Sequence, residues 1–149
     1  MVSDRVRHKL SVAVFVVLRR GDGVCLLRRI GTGWMDGQFS LPAGTLEPHE
    51  TIRGAAVREA REEVGIELDP AALRHVHLLH GRTAGNDWTG HFFIATHWTG
   101  EPRICEPDKH GELCWAPMSE LPDLVIPYVR QALDAVAQGQ TYSEYGWTD

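Results

Sequence analysis

Three glutamates, Glu59, Glu62 and Glu63, have the spacing to act as one chemical group. They lie in an Ala-rich interval that predicts a helix over residues 52–64. At about 100° per residue, positions i, i+3 and i+4 share one helix face, so the three carboxylates meet there. Like charges at this spacing repel one another and destabilise a helix. A hard divalent cation is the expected counter-charge, because it prefers carboxylate oxygens and Mg²⁺ also binds substrate phosphates.

Capping residues mark both ends of this helix. Thr51 suits the N-cap, and Gly65 suits the left-handed position just beyond the last turn. Ile52 and Ala55 share the sector of the glutamates, so the carboxylates border the buried stripe of the helix. A solvated acidic surface is the alternative for glutamates on a helix, and this apolar border argues against it.

The segment from Gly44 to Ile66 matches the Nudix box, G-x5-E-x7-R-E-U-x-E-E-x-G-U, where U is a bulky aliphatic residue. Every fixed polar or glycine position is present, and the one departure is Ala60 at the first U. The chain resembles MutT-like members of this family over most of its length. The resemblance implies an α/β protein with the Nudix fold, a mixed β-sheet sandwiched between α-helices.

The resemblance to the Nudix box also implies roles for its residues. Glu59 is the leading candidate for the general base, with Glu62 as an alternative and Arg58 orienting the carboxylate. The implied metal ligands are the backbone carbonyl of Ala43 and the carboxylates of Glu59, Glu62 and Glu63. The implied structural positions are Gly44, Glu50 and Gly65. The implied cofactor is Mg²⁺, with Mn²⁺ as a substitute.

A further acidic residue is expected outside the box. MutT-like enzymes use a glutamate on the loop after a W-x-G-E-P segment, which Trp98 begins in this chain. Counting onward, Glu106 occupies the matching position and is the expected additional metal ligand. Glu112 is the competing residue. A loop glutamate that is simply solvated is the plain alternative for both.

Basic, aromatic and acidic side chains are candidates for substrate contacts. Phosphate groups could be bound by Arg28, Arg29 or Lys109. The base could be contacted by Trp34, Phe39, His80, Trp88 or Asp123. Each of these side chains could instead be solvated or part of the packing. The eight histidines contain no H-x-x-x-H pattern, so no metal role is assigned to them.

Composition favours one domain over residues 1–149 and argues against several classes of partner. The hydrophobic content of 43% suits an ordinary core. The net charge is −5 without a basic run, so no polymeric nucleic acid is expected as a partner. No apolar stretch approaches the roughly 18 residues of a membrane span. Cys25, Cys105 and Cys114 have no C-x-x-C spacing and are expected to be reduced thiols of a cytoplasmic protein.

Apolar periodicity and turn residues predict the remaining elements. The predicted strands are 8–19 and 23–30, joined as a hairpin, then 38–44, 73–80, 88–98 and 112–117. Residues 81–87 are predicted to be a loop from their composition. A second helix is predicted from about Pro127, with Gly139 beyond its end. The aromatic-rich tail, about 140–149, could fold back on the domain, pack on a partner in a homodimer, or be loose.

The MutT-like resemblance implies Mg²⁺-dependent hydrolysis of a nucleoside triphosphate to a nucleoside monophosphate and pyrophosphate. Markers of other family members are absent. ADP-ribose pyrophosphatases often carry a proline about sixteen residues beyond the box, but no proline lies between Pro70 and Pro102. Dinucleoside polyphosphate hydrolases often carry a tyrosine near the same place, where this chain has Arg82-Thr-Ala84. Another nucleoside diphosphate-linked substrate, such as a nucleotide sugar or a dinucleoside polyphosphate, is the alternative. A module that binds a nucleotide without hydrolysing it is a third reading, which the intact box disfavours.

Overall fold

The computed structural model describes residues 5–148, so Met1–Asp4 of the predicted domain and Asp149 of the predicted tail lie outside the described residues. The strands are β1 (Ser11–Arg20), β2 (Gly23–Arg29), β3 (Phe39–Ser40), β4 (Ala43–Thr45), β5 (Arg74–Thr83), β6 (Asn86–Ala95), β7 (His110–Pro117) and β8 (Tyr142–Tyr145). The helices are α1 (Ile52–Val64) and α2 (Pro127–Ala137), and a 3₁₀ turn covers Pro70–Ala72. No helix in the described range has the length and apolarity needed to cross a membrane.

The strands form one mixed sheet in the order β3-β2-β1-β6-β5-β8, with β4 also pairing with β1 and β7 with β2. β1 runs parallel to β6 and antiparallel to β2 and β4. Helix α1 covers one face of the sheet and α2 covers the other. This is the predicted arrangement of a mixed sheet between helices.

β1 is central because both of its faces are apolar. Val14 and Val16 pack in the core beneath α1, whereas Phe15 and Val17 pack in the core beneath α2. A strand that is buried on both faces has a continuous apolar sequence rather than an alternating one. β1 also pairs with β4, so it holds the beginning of the Nudix box against the centre of the sheet.

Helix α1 begins and ends at the predicted residues. The Thr51 hydroxyl accepts a hydrogen bond from the Gly54 amide at 2.9 Å, as an N-cap does. Gly65 adopts a φ of 70° beyond the last turn, and its amide donates to the Arg61 carbonyl. The helix contacts β1 and β4 through a face of small side chains. That face is formed by Ala55, Ala56, Ala60 and Val64.

The prediction of a loop over residues 81–87 is wrong. β5 and β6 extend through most of this segment, and only Ala84 and Gly85 form the turn, with φ angles of 51° and 79°. Gly81 has a different purpose, because a Cβ at this position would lie 2.6 Å from the Trp88 indole across the strand pair. The glycine therefore permits close packing within a strand and does not mark a turn.

Other differences from the predicted elements concern strand ends. The strand predicted over 88–98 stops at Ala95. The segment 38–44 forms two strands, since β3 pairs with β2 and β4 pairs with β1. Pro42 lies between them, and proline cannot donate to a sheet hydrogen bond. β7 starts at His110, two residues earlier than predicted.

The C-terminal tail folds back on the sheet. β8 pairs in parallel with β5 and forms one edge of the sheet. His77 of β5 is fully buried, and its ring nitrogens are hydrogen-bonded to the Gln140 carbonyl at 2.8 Å and the Ser143 hydroxyl at 2.7 Å. Of the three arrangements considered for the tail, the structure has the one in which it folds back on the domain.

Candidate active site

Arg58 connects the acidic residues of the box. Its Nε and Nη2 donate to the two oxygens of Glu50 at 2.9 and 2.8 Å, and its Nη1 donates to Glu59 Oε1 at 2.7 Å. Nη1 also donates to Glu62 Oε2 at 3.3 Å, and Nη2 donates to the Thr45 carbonyl at 3.1 Å. The side chain is 18% exposed. Because the guanidinium of Arg58 binds the Glu50 carboxylate at two points, these bonds fix the orientation of the Arg58 side chain beside the other glutamates.

Glu50 anchors Arg58 and the loop before α1. Hydrogen bonds from Arg58 hold the pKa of Glu50 at about 2, well below its ordinary value. The pKa of Arg58 is raised in turn, chiefly by its hydrogen bond with Glu50. The backbone amide of Glu47 also donates to Glu50 at 2.8 Å. These contacts support the structural role predicted for Glu50.

Glu59 is a buried carboxylate, 8% exposed, that lies against β4. The adjacent residue of β4 is Gly44, and no side-chain carbon could be accommodated there without displacing the Glu59 carboxylate. Burial raises the pKa of Glu59, while the hydrogen bond from Arg58 opposes the rise. A carboxylate with a raised pKa is a better proton acceptor near neutral pH than an ordinary glutamate.

Glu63 is also largely buried, and its Oε1 accepts a hydrogen bond from the Ala43 amide at 2.8 Å. Burial raises the pKa of Glu63 to about 8. The Ala43 hydrogen bond opposes this rise, and the charges of Glu59 and Glu106 add to it. The ionised form of Glu63 therefore requires a nearby positive charge.

The turn before β7 brings Glu106 and His110 to Glu63. One carboxylate oxygen from each glutamate and one ring nitrogen of His110 lie within 4.8 Å of one another. The backbone amide of His110 donates to the Glu106 carbonyl at 3.0 Å, which closes the turn between them. Glu112 lies farther along β7, where its carboxylate is 3.7 Å from Arg28. The geometry thus favours Glu106 over Glu112 as the additional acidic residue.

His110 is the member of this cluster that sequence analysis missed. The H-x-x-x-H pattern detects paired histidines on a helix, whereas His110 begins a strand. Its burial, 5% exposed, results from packing between segments that are distant in sequence. The one available signal was its position four residues after Glu106.

The two arginines considered as phosphate ligands support the loop between β2 and β3. Arg28 Nε donates to the Gly37 carbonyl at 3.1 Å, and Arg29 Nε donates to the Trp34 carbonyl at 2.7 Å. The loop in turn positions Trp34, whose Nε1 donates to the Tyr128 hydroxyl at 3.4 Å. Their role in phosphate binding stays a prediction.

Positive charge lies close to the acidic cluster as well. Lys109 Nζ is 3.6 Å from the carboxylate of Glu106. The charge of Arg29 is near enough to lower the pKa of Glu63. A phosphate group entering the cluster would therefore meet Lys109, which pairs with Glu106, and the nearby charge of Arg29.

Trp88 belongs to an aromatic cluster on the α2 side of the sheet. Its ring centroid lies 5.0 Å from that of Tyr128 in α2 and 6.2 Å from that of Phe15 in β1. Tyr145 of β8 packs edge-on against Tyr128 at 5.8 Å. Phe15 pairs with Ala43 across β1 and β4, so the aromatic cluster adjoins the strand that begins the box.

The other candidates for base contacts lie in different surroundings. Phe39 is 9% exposed and packs in the core beneath α2. His80 Nε2 lies 3.2 Å from the carboxylate of Asp87. Asp123 lines a groove of about 670 Å³ between α2 and β8, whose walls contain none of the box carboxylates.

The side chains gathered at the box suit a divalent cation. Glu59 and Glu63 are buried carboxylates with raised pKa values, and Arg58 supplies one guanidinium beside them. Glu106 and His110 add an oxygen and a nitrogen donor at the same place. An ion that accepts several carboxylate oxygens would relieve the mutual repulsion.

Known proteins share this sequence and fold. The NUDIX domain family model matches residues 8–136. The RNA pyrophosphohydrolase of Erythrobacter litoralis (strain HTCC2594) is 30% identical over 153 aligned positions, which cover 91% of this chain and 92% of the relative. The 8-oxo-dGTP diphosphatase of Escherichia coli (strain K12) is 31% identical over 94 positions, which cover 63% of this chain and 71% of the relative. The crystal structure of a MutT NUDIX hydrolase from Burkholderia pseudomallei matches with a TM-score of 0.78 at 28% identity, covering 85% of this chain and 98% of that one.

The sequence family and the solved structure point to the same assignment. The family model includes the whole box and strands β1 to β7. The solved relative has the same sheet between helices, which confirms the predicted Nudix fold. The chain therefore belongs to the NUDIX domain family and is a MutT-like Nudix hydrolase.

Proposed function

We propose that this enzyme cleaves the anhydride between the α and β phosphates of a nucleoside triphosphate, releasing a nucleoside monophosphate and pyrophosphate. The observation that carries the proposal is that the carboxylates of Glu63 and Glu106 lie within 4.8 Å of each other, with Glu59 near enough for its charge to act on Glu63. Cleaving a phosphoanhydride requires neutralisation of phosphate charge and a correctly aimed water molecule. The cluster would neutralise the phosphate charge by holding a cation, and Glu59 would aim and activate the water molecule.

The proposed cation is Mg²⁺, with Mn²⁺ as a substitute. The residues proposed to hold it are Glu59, Glu62, Glu63 and Glu106 through their carboxylates and Ala43 through its carbonyl. When bound, the cation would neutralise phosphate oxygens and make the phosphorus more open to attack. Glu62 is half exposed, so its side chain is free to turn toward a cation at the surface of the cluster.

Glu59 is proposed as the general base. Its carboxylate would take a proton from the attacking water as the water oxygen bonds to phosphorus and the anhydride bond breaks. The raised pKa of Glu59 favours this transfer near neutral pH. Arg58 is proposed as a positioning residue, because its Nη1 holds Glu59 Oε1 at 2.7 Å.

The aromatic cluster supports a nucleoside at the other end of the substrate. Any nucleobase can stack on an aromatic side chain, because every base has a π-face. Trp88, which is half-buried and packs against the buried Tyr128, offers such a surface on the side of the sheet where Phe15 pairs with Ala43 of β4. The similarity to the 8-oxo-dGTP diphosphatase of E. coli adds oxidised triphosphates to the candidate substrates.

A 5′-triphosphate on an RNA chain is the second candidate. The relative named RNA pyrophosphohydrolase aligns over more of this chain than the 8-oxo-dGTP diphosphatase does. RNA binding would require cationic surface for the phosphate backbone. The net charge is −5, and the cations near the site, Arg28, Arg29 and Lys109, all have protein partners. A free nucleotide therefore ranks ahead of RNA.

A substrate panel with Mg²⁺ tests the proposal. It should contain ordinary and oxidised nucleoside triphosphates, a 5′-triphosphorylated oligoribonucleotide, nucleotide sugars and dinucleoside polyphosphates. We expect a monophosphate and pyrophosphate from at least one free triphosphate, measured by ion-exchange separation of products, with turnover lost in Glu59→Gln. Cleavage of only nucleotide sugars or dinucleoside polyphosphates would replace the proposed substrate class.

A cytoplasmic location is part of the proposal. Cys25, Cys105 and Cys114 are all free thiols. Disulfides are rare in the cytosol, where thiols are kept reduced. Fractionation of the native host, followed by immunodetection of the protein, tests this location.

A further inference from the structure

We infer that His110 is a nitrogen ligand of the divalent cation at this site and raises the affinity of the site for Mn²⁺ relative to Mg²⁺. The inference rests on the proposed function, because it concerns the cation of the proposed reaction. It adds an imidazole to the carboxylates of the box. The first observation is that a ring nitrogen of His110 lies within 4.8 Å of oxygens from both Glu63 and Glu106.

The second observation is that the His110 ring is buried without a hydrogen bond. Only 5% of the residue is exposed, and Nδ1 is fully buried with no partner in the described part of the chain. Nε2 lies 3.9 Å from Glu63 Oε2, which is too far for a hydrogen bond. By contrast, the buried His77 has both ring nitrogens paired, with Gln140 and Ser143. A histidine that only fills space is normally paired in this way.

Metal ligation requires a free nitrogen that faces the other ligands, and Nε2, 3.9 Å from Glu63 Oε2, is that nitrogen in His110. The ligating nitrogen must keep its lone pair free of protein donors, and the neighbours of His110 in the cluster are carboxylates, which are acceptors when ionised. Ligand atoms about 2.1 Å from one cation lie roughly 3 to 4 Å from each other. Atoms already within 4.8 Å need only small side-chain movements to reach that spacing. Glu63 comes from α1 and His110 from β7, so the ligands approach from two elements.

A nitrogen ligand changes which cation is favoured. Mg²⁺ prefers oxygen ligands and gives up its water reluctantly. First-row transition ions accept imidazole more readily, and Mn²⁺ also accepts the carboxylates that dominate this cluster. Adding His110 to Glu63 and Glu106 therefore raises the affinity for Mn²⁺ relative to that for Mg²⁺.

Binding of Mn²⁺ to the full chain tests the inference by calorimetry and pulsed electron paramagnetic resonance. We expect ¹⁴N coupling to bound Mn²⁺ in the unsubstituted protein, replaced by ¹⁵N coupling after labelling of histidine. His110→Asn should abolish this coupling and weaken Mn²⁺ binding by at least the roughly 10- to 100-fold that loss of a group supporting a ligand costs, with a much smaller change for Mg²⁺. His97→Asn, at an exposed histidine, is the matched control and should leave both measurements unchanged.

Several outcomes would overturn the inference. Mn²⁺ bound without ¹⁴N coupling in the unsubstituted protein would do so, and this result does not depend on any variant folding. Coupling that persists in His110→Asn, or equal losses of Mn²⁺ and Mg²⁺ affinity, would do the same. If the protein hydrolyses triphosphates but its bound Mn²⁺ has only oxygen ligands, the proposed function stands and His110 is not a metal ligand. If nitrogen coupling is observed but no triphosphate is hydrolysed, His110 is a metal ligand and the proposed function is wrong.

Discussion

The carboxylate of Glu59 occupies the space that a side chain on Gly44 would fill. A Cβ at Gly44 would lie 2.0 Å from Glu59 Oε1 and 2.1 Å from its Cδ. Gly44 is not among the residues with a positive φ, so backbone strain is not what selects glycine here. The first glycine of the box and Glu59 therefore form one steric unit across β4 and α1.

Gly44→Ala should displace the Glu59 carboxylate while the fold persists, because the obstructing atoms belong to the end of a flexible side chain. We expect turnover to fall by roughly 10²–10⁴-fold, the contribution of a general base. Steady-state kinetics and a thermal melt provide the measurements. Gly23→Ala is the matched control, since its Cβ would be at an ordinary 3.4 Å from the Arg20 carbonyl. Equal activity in the two variants would contradict this steric relationship.

Glu59→Gln should cause a comparable loss of turnover, roughly 10²–10⁴-fold, without loss of thermal stability in metal-free buffer. The amide keeps the size of the side chain but cannot accept the proton, and it removes a buried charge that burial disfavours. Glu120→Gln, at an exposed glutamate, is the control. Near-normal turnover in Glu59→Gln would transfer the base role to Glu62 or to a glutamate outside the box.

Glu106→Gln should reduce turnover by roughly 10²–10⁴-fold, whereas Glu112→Gln should have little effect. Glu106 shares the cluster with Glu63, while Glu112 pairs with Arg28 on β2. Both side chains are on or near the surface, so the melting temperature should barely change. The reverse order of effects would show that Glu112 is the ligand. Small effects from both would mean that the box alone supplies the necessary carboxylates.

The metal-free protein should become less stable as the pH rises from about 4.5 to about 8. Burial raises the pKa of Glu63 from 4.5 to about 8, so the folded state keeps a proton that the unfolded state has released in this window. Stability falls with rising pH wherever the folded state binds more protons. Thermal melts in chelator at pH 6 and pH 8 measure the effect. Glu63→Gln should flatten this dependence, and adding Mg²⁺ at pH 8 should raise the melting temperature. A melting temperature that rises from pH 6 to pH 8 in both proteins would refute this account of Glu63.

His77→Phe should loosen the C-terminal tail, because it removes the hydrogen bonds to Gln140 and Ser143 from a fully buried ring. Loss of buried partners costs about 1–3 kcal/mol. We expect a lower melting temperature and faster proteolysis after residue 139. Ser143→Ala removes only one of the two bonds and should have a smaller effect. Unchanged proteolysis in His77→Phe would show that β8 is held by its backbone pairing with β5 alone.

Local sequence was sufficient for α1 and its face of glutamates. The capping residues Thr51 and Gly65 lie within a few residues of the groups that they satisfy, and helix periodicity relates Glu59 to Glu63 without reference to the rest of the chain. The prediction of a loop around Gly81, which lies within β5, is wrong for the opposite reason. This glycine serves a contact with Trp88 on the next strand, and composition does not distinguish that from a turn.

Tertiary structure decided the contacts that join distant segments. Glu106 and His110 reach Glu63 because β7 pairs with β2 and the Cys105 amide donates to the Glu63 carbonyl, whereas residue counting left Glu106 and Glu112 as competitors. The sequence was compatible with three arrangements of the C-terminal tail, and the pairing of β8 with β5 selects one of them. Periodicity and capping are short-range properties of the chain. Burial, pairing between remote strands and the raised pKa of Glu63 depend on how those elements pack, which no local pattern encodes.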